Sequence, residues 1–331
     1  MSRLCQFKLV VTGLILTSFV ATAAGVGAST TTPQLDRLSA SVADAAKGVA
    51  LSSAAMKELA AISKNSKYYF GPATIGSGCY IYEKGQSGLP PNPLASCSYG
   101  DLKSTKLMVL TGDSQSAMWA PGFDVVGKAL GYRVVLLGKS ACSAWYTDVA
   151  WVDGSSFPAC ALWRKNVATY INTIHPLFVF PVGAVGVMAK GNASVHGGAT
   201  TAEIKVGGTD FISAVAPSKS RIVIISNIPW LASWVTPTAP NQCLLFHSKT
   251  PSACNVAKSA AIDSQMFPAL KEIATVNKLK FVDISQLSCT ATTCVTAVGS
   301  HIVYLDGVHY QRDFVTYVAT ALQQLIQPAL K

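Results

Sequence analysis

Five short apolar runs rich in β-branched residues punctuate the chain: Lys106–Thr111, Tyr132–Leu137, Leu177–Val182, Arg221–Ser226 and Lys280–Asp283, each bounded by turn residues. Segments of helical length separate them: Ser114–Leu130, Leu162–Ile174, Thr200–Val215 and Val256–Asn277. A strand that is apolar at every position, rather than at alternate ones, must be covered on both faces. Parallel neighbours need crossovers of helical length, and these segments supply them. The pattern therefore predicts a doubly wound, five-stranded parallel sheet with helices on both faces. A last segment, Arg312–Ile326, carries Phe314, Val318, Leu322 and Ile326 at helical spacing and is expected to pack on the sheet as its closing helix. In such a sheet the carboxyl ends of the strands share one edge, and chemistry belongs there.

The 331 residues suffice for one large α/β domain with extensions. Arg3 and Lys8 precede an uncharged apolar run, Leu9–Val20, and Ala21-Thr22-Ala23 fits a small-residue cleavage site. Residues 1–28 are read as an export signal, or as an N-terminal membrane anchor if they are retained. Either places the bulk of the chain outside the cytoplasm, secreted or in the cell envelope. Residues 29–66 read as a helix or spacer. Thr30 to Pro33 would cap it, and Leu35, Leu38, Val42, Val49, Met56 and Leu59 fall near heptad spacing, with Ala45 filling a gap. Self-association and packing on the main domain both fit that pattern. Lys64 to Pro93 is rich in Gly, Pro, Ser and Asn and reads as an irregular lead-in to a main domain spanning 67–331.

Cysteine usage agrees with export. Of nine cysteines, Cys5 lies in the presumed signal. The short loops between the others suggest neighbour pairing as Cys79–Cys97, Cys142–Cys160, Cys243–Cys254 and Cys289–Cys294. Reduced thiols and zinc are the alternatives, but the close Cys-x-x-Cys or His-x-x-x-His pairs of zinc sites are absent from the sequence. The formal charge is +10 without any Lys/Arg run, which argues against a nucleic-acid partner. Anionic envelope polymers could attract such a chain, although plain solubility explains the charge equally well.

Two motifs carry chemistry. Leu110-Thr111-Gly112-Asp113-Ser114-Gln115-Ser116 sits where the first strand ends and a helix begins. Ser114 at a helix N-terminus faces outward-pointing N–H groups and the positive end of the helix dipole, which favour an alkoxide and the oxyanion it generates. An ordinary helix N-cap is the plainer reading of Gly-Asp-Ser. Tyr304-Leu305-Asp306-Gly307-Val308-His309 precedes the last helix. Serine needs a neighbouring base, a histidine can be that base, and a carboxylate three residues earlier on the same loop can reach its Nδ1. Each motif is weak alone. Together they fall on the first and last loops of one sheet edge, where they can converge.

The combination resembles the SGNH (GDSL-like) hydrolase family, and most of all the SGNH domains of extracytoplasmic O-acetyltransferases of the acyltransferase-3 type. The likeness runs from about Cys79 to the C-terminus. It includes Cys97-Ser98-Tyr99-Gly100-Asp101, Gly112-Asp113-Ser114 with Met118-Trp119-Ala120-Pro121, and Gly138-Lys139-Ser140-Ala141-Cys142. Pro240-Asn241-Gln242-Cys243-Leu244, Cys289 to Cys294, and Val303 to Tyr310 complete it. The resemblance implies the SGNH hydrolase fold with its flavodoxin-like strand order. It implies Ser114 as nucleophile, His309 as base and Asp306 as its orienter, no cofactor or metal, and an acyl-serine intermediate. It further implies an acyl ester of envelope carbohydrate as substrate, or another ester, with two alternatives open: pairing with a separate membrane protein as acyl donor, or action as a free esterase. The Ser114 N–H would serve in the oxyanion hole. Two departures stand out. Gln115 replaces the histidine that usually follows the Gly-Asp-Ser. No asparagine follows the third strand directly, where the sequence reads Phe180-Pro181-Val182-Gly183-Ala184-Val185-Gly186. Gly138 and a backbone N–H near Gly183 are the remaining oxyanion-hole candidates, with Asn192 a few residues on. The missing asparagine also motivates an alternative, a non-catalytic carbohydrate-binding protein on the same scaffold.

Other features carry less. Gly138-Lys139-Ser140 ends like a phosphate-binding loop, but Arg133 stands where that loop needs glycine. His175, His196, His247 and His301 lack a metal-ligand spacing. Asn192-Ala193-Ser194 matches a glycosylation acceptor. Trp145, Trp151, Trp163, Trp230 and Trp234 could line a sugar cleft, although core packing is the commoner role of tryptophan.

Overall fold

A computed structural model describes residues 34–64, 79–184, 198–231 and 238–331. The expected signal, the Thr30–Pro33 cap, His196, Trp234 and the Asn192 acceptor lie outside the described residues.

The apolar runs form strands of one sheet. In chain order they are β1 (Tyr80–Ile81), β2 (Ser98–Gly100), β3 (Leu107–Gly112), β4 (Arg133–Lys139), β5 (Phe178–Val182), β6 (Arg221–Ile225) and, after a two-residue β7 (Val256–Ala257) that pairs elsewhere, β8 (Lys280–Val282). The parallel order is β1-β4-β3-β5-β6-β8, with β2 antiparallel beside β4. The first expected strand thus sits at the centre, flanked by the second and third, as a doubly wound sheet requires. Burial explains the run-like sequences: Met108 to Gly112 and Phe178 to Val182 are buried throughout.

Helices cover both faces. Those after the strands are α4 (Ser114–Leu130), α5 (Pro158–Ile174), α6 (Thr201–Val215) and α9 (Met266–Val276). α4 packs with α10 (Arg312–Tyr317) and α11 (Ala319–Ile326), while α5, α6 and α9 pack in succession. Five short or N-terminal helices complete the described set: α1 (Leu35–Ala46), α2 (Ser53–Lys64), α3 (Pro93–Ser96) and, on either side of β7, α7 (Pro240–Phe246) and α8 (Lys258–Ala261). β7 forms a ribbon with β9 (Thr293–Cys294), and β10 (Ala297–Val298) forms another with β11 (His301–Ile302).

The structure differs from the sequence reading at several points. The sheet gains β1 and β2, too short to register as apolar runs, and β1 lies inside the stretch read as an irregular lead-in. The helix expected over Val256–Asn277 starts only at Met266, because β7 and α8 take the first part. α5 begins at Pro158 rather than Leu162, since proline suits the first helical turn. The closing helix divides at Val318. The N-terminal segment is two helices rather than one. Gly48 turns the chain at φ +94°, and Val49, expected on the heptad face, is exposed.

Both N-terminal helices are docked. α1 buries Leu38 and Val42 in the main core, and the Leu35 N–H donates to Gln324 Oε1 of α11 (2.7 Å). α2 buries Ala55, Leu59 and Ile62 in a second, smaller core with Leu244, Ile302 and Leu305. Thr31–Lys331 is one compact unit. The disulfides are Cys79–Cys97, Cys142–Cys160, Cys243–Cys254 and Cys289–Cys294. The first anchors β1 against β2, and the second ties the loop after β4 to α5. No helix among the described residues is long and apolar enough to cross a membrane.

Candidate active site

β3 ends on Gly112, whose φ of +144° and contact with β5 admit no side chain: a Cβ there would lie 1.9 Å from the Val182 carbonyl oxygen. Asp113 follows as the N-cap of α4. Its Oδ1 accepts from the Gln115 N–H (2.9 Å) and its Oδ2 from the Ala184 N–H just past β5 (2.6 Å). Ser114 is therefore the first residue of α4, where amide N–H groups lack intrahelical acceptors and the dipole favours negative charge.

The second half of the site is a loop pinched by a bridge between Tyr304 and Tyr310. Asp306 Oδ1 accepts from the N–H groups of Val308 (2.7 Å) and His309 (2.8 Å), which folds the loop back on itself. Asp306 Oδ2 lies 2.8 Å from His309 Nδ1, and His309 Nε2 lies 2.7 Å from Ser114 Oγ. Residues 195 positions apart are thus in hydrogen-bond contact. The Leu231 N–H donates to the Gly307 carbonyl (2.7 Å), Gln115 Nε2 to the Val308 carbonyl (3.3 Å), and the Tyr310 N–H to Met118 Sδ (2.9 Å).

The electrostatics suit a base. Burial disfavours a charged His309, but the charge of Asp306, its hydrogen bond and the more distant Asp113 outweigh this and raise the imidazole above its ordinary value. Burial pushes Asp306 up, yet the facing imidazole and the hydrogen bonds from His309 and Val308 prevail and hold it low. Asp113 is fully buried, and burial raises its pKa against its two N–H donors and the positive charges of His309 and Arg164. Arg164 is itself buried, with Nε on the Ser143 carbonyl (2.8 Å) and Nη1 on the Thr147 carbonyl (2.6 Å), so it braces the loop after β4.

The oxyanion-hole candidates separate. The Ser114 N–H sits at the helix start. Gly138 lies within β4, and its N–H donates to the Cys79 carbonyl (3.0 Å) in the pairing with β1, so it is spent on the sheet. That corrects the expectation for Gly138, whose strand runs one pair further than the apolar run suggested. Gly183 follows β5, and its carbonyl accepts from Asn227 Nδ2 (2.9 Å). Asn227, buried two residues past β6, also approaches Gln115 Oε1 (3.5 Å). The sequence reading passed over Asn227, although its place at a strand's carboxyl end was a usable signal. Gln115 occupies its position as a tether of the His309 loop. Trp145, Trp163 and Trp230 are buried and cannot line an open cleft, whereas Trp151 is partly exposed. Among the described residues no group of three or more His, Cys, Asp or Glu side chains could hold a metal.

A serine on the first crossover and a His–Asp pair on the last loop, meeting at the carboxyl edge of a doubly wound sheet, define an SGNH-type enzyme. The chain belongs to the SGNH family: the family described as an SGNH domain fused to AT3 domains matches residues 78–324. Among solved structures, the periplasmic domain of a Salmonella ser. Paratyphi A lipopolysaccharide acetyltransferase is similar at TM-score 0.54 and 17% identity, over 81% of this chain and 95% of that one. A GDSL-like lipase from Bacteroides thetaiotaomicron has TM-score 0.40 and 14% identity, over 68% and 88%. A catalytic mutant of an acetylxylan esterase from Geobacillus stearothermophilus has TM-score 0.39 and 13% identity, over 68% and 96%. No curated protein matches the sequence significantly.

Proposed function

We propose that this chain is a serine esterase or O-acyltransferase acting on acyl esters, O-acetyl above all, of cell-envelope carbohydrate. The observation that carries the reading is the continuous hydrogen-bond chain from Asp306 through His309 to Ser114 Oγ. In the proposed reaction His309 Nε2 takes the Ser114 proton as Oγ attacks the ester carbonyl, and Asp306 holds the imidazole in the tautomer with its proton on Nδ1. The N–H of Ser114, joined by that of Gly183, receives the oxyanion. His309 then returns the proton to the departing alcohol, leaving an acyl-serine. A sugar hydroxyl or water, deprotonated by the same imidazole, takes the acyl group and frees Ser114.

Sugar O-acetylation is favoured by the family's association with AT3 domains and by the acetyltransferase neighbour. A separate membrane protein would then supply the acyl donor. Four disulfides and the export-like N-terminus support an extracytoplasmic location. The test has two parts. A fluorophosphonate probe should label the wild type and not Ser114→Ala; an unlabelled wild type would favour the carbohydrate-binding alternative. Free acetate released from a chromogenic acetyl ester should fall when a sugar acceptor is added, and unchanged release would mark a simple esterase.

A further inference from the structure

Gly183 stands directly after β5, and the loop after β4 crowds it. A Cβ there would lie 1.9 Å from Ser143 Oγ and 2.8 Å from Ser143 Cα, so the position admits only glycine. A glycine backbone turns freely, which ill suits a group that must hold still for a developing charge. Three hydrogen bonds from other parts of the chain take that freedom away. The Ala144 N–H donates to the Val182 carbonyl (3.1 Å). Asn227 Nδ2 donates to the Gly183 carbonyl (2.9 Å). The Ala184 N–H donates to Asp113 Oδ2 (2.6 Å). A peptide group is planar, so the first bond fixes the direction of the Gly183 N–H, and the other two grip both ends of the next peptide. The Gly183 N–H itself meets no acceptor among the described residues. Asn227 is costly there as mere packing. It is 7% exposed, and its Oδ1 is buried without a hydrogen-bond partner among the described residues. A buried acceptor left unpaired destabilises a fold, and an apolar residue would avoid that cost. What the asparagine supplies is the Nδ2 bond.

We propose that Asn227 is a positioning residue that, with Asp113, orients the Gly183 backbone so that its N–H faces the oxyanion. This rests on the proposed serine chemistry. Asp113 ties the two donors of the oxyanion hole together. Its Oδ1 holds the Gln115 N–H at the start of α4, next to Ser114, and its Oδ2 holds the Ala184 N–H, next to Gly183. One buried carboxylate thereby sets the spacing between the Ser114 and Gly183 donors. Asn227 reaches the same peptide from the end of β6, the neighbour of β5 in the sheet. Neither side chain needs to touch the reacting atoms. Both keep a donor aimed where charge will form, so that little must reorganise when Ser114 attacks. The role also answers the missing asparagine after β5: an asparagine stands one strand over and acts through a glycine peptide. A second route to the site starts from the same side chain. Asn227 Nδ2 lies 3.5 Å from Gln115 Oε1, and Gln115 tethers the His309 loop at the Val308 carbonyl. The two routes differ in what they change: one the oxyanion donor, the other the base.

Asn227→Ala removes the bond to the Gly183 carbonyl and changes no charge. Turnover of a chromogenic acetyl ester is expected to fall about 10- to 100-fold in kcat, with KM changed little, a smaller loss than that of a whole oxyanion donor. Fluorophosphonate labelling should slow in parallel. The acid limb of the kcat/KM profile should keep its wild-type midpoint, because the charges around His309 are untouched. Asp113→Asn should lower kcat as well, and the double variant should lose less than the product of the two single effects, since both bonds hold one peptide. Wild-type kcat in Asn227→Ala, with Ser114→Ala inactive, would overturn the inference and leave the proposed function standing. A shifted midpoint would also overturn it, by showing that Asn227 acts through Gln115 on the base, and so would a rise in KM alone. A wild type that neither labels nor turns over the ester would instead remove the function, and the inference with it. Should Asn227→Ala unfold, the Asp113→Asn kcat decides: unchanged turnover there overturns the role.

Discussion

The two halves of the site are built by opposite means. The nucleophile's half is local: Gly112, Asp113 and Ser114 are consecutive, and a glycine-only turn, an N-cap and a helix start fix the serine within one strand-to-helix junction. The base's half is a loop held from a distance. Its anchors are Leu231, Gln115, Met118 and, through Gln311, Glu58 of α2. Glu58 Oε1 accepts from Gln311 Nε2 (2.7 Å) and Oε2 from the Ile302 N–H (3.2 Å), while the Gln311 side-chain oxygen caps α10. The serine is thus positioned by three consecutive residues with one outside brace, the Ala184 N–H on Asp113 Oδ2, whereas the histidine that reaches it draws on elements from both ends of the chain.

The largest effects should come from the reacting groups and strike both halves alike. Ser114→Ala and His309→Ala are each expected to lower ester turnover roughly 10⁴–10⁶-fold, and combining them should add little, because they act as a unit. Full additivity would break the pairing. Asp306→Asn should cost about 10³–10⁴-fold by favouring the wrong imidazole tautomer. It should also move the acid limb of the pH profile. His309 is raised above 6.5 mainly against burial by Asp306, and the base works only when unprotonated. Wild-type kcat/KM is therefore expected to rise through a midpoint above 6.5, and in Asp306→Asn that midpoint should drop.

The next predictions separate the halves by stability. Gly112→Ala places a Cβ against the Val182 carbonyl at a φ that side chains avoid, and should cost about 3 kcal/mol in urea unfolding. Near-neutral stability would show that the turn can relax. Glu58 offers the mildest perturbation of the other half. Burial pushes its carboxyl up to about 7, opposed by the Ile302 N–H and reinforced by the charge of Asp313. The folded state therefore binds this proton more tightly than the unfolded chain. The stabilisation is complete below 4.5 and is lost as pH rises through about 7. The wild-type Tm should fall between about pH 5 and about pH 8 more steeply than that of Glu58→Gln. Parallel curves would mean that the carboxylate does not link α2 to the loop.

Much of this was legible from local pattern. Buried parallel strands read as apolar runs, so β3, β4, β5, β6 and β8 were expected to within a residue or so at most ends. Ser114, Asp306 and His309 announced themselves through their place on loops at one sheet edge. The misreadings were of another kind. β1 and β2 have two and three residues and exist only because β4 offers hydrogen bonds on its free side. Gly138 looked like an oxyanion donor until the pairing of β1 claimed its N–H, and the apolar spacing of the N-terminal segment did not reveal that Gly48 breaks it.

What the sequence alone determined is therefore the strand–helix alternation and the chemical identity of the nucleophile and base, since each rests on neighbours within a few residues. What the tertiary structure decided is which groups remain free to act on them. Whether an N–H is spent or a glutamate braces a loop depends on contacts between segments far apart in the chain. Hydrophobic periodicity records which face of a segment is buried, but not what it is buried against.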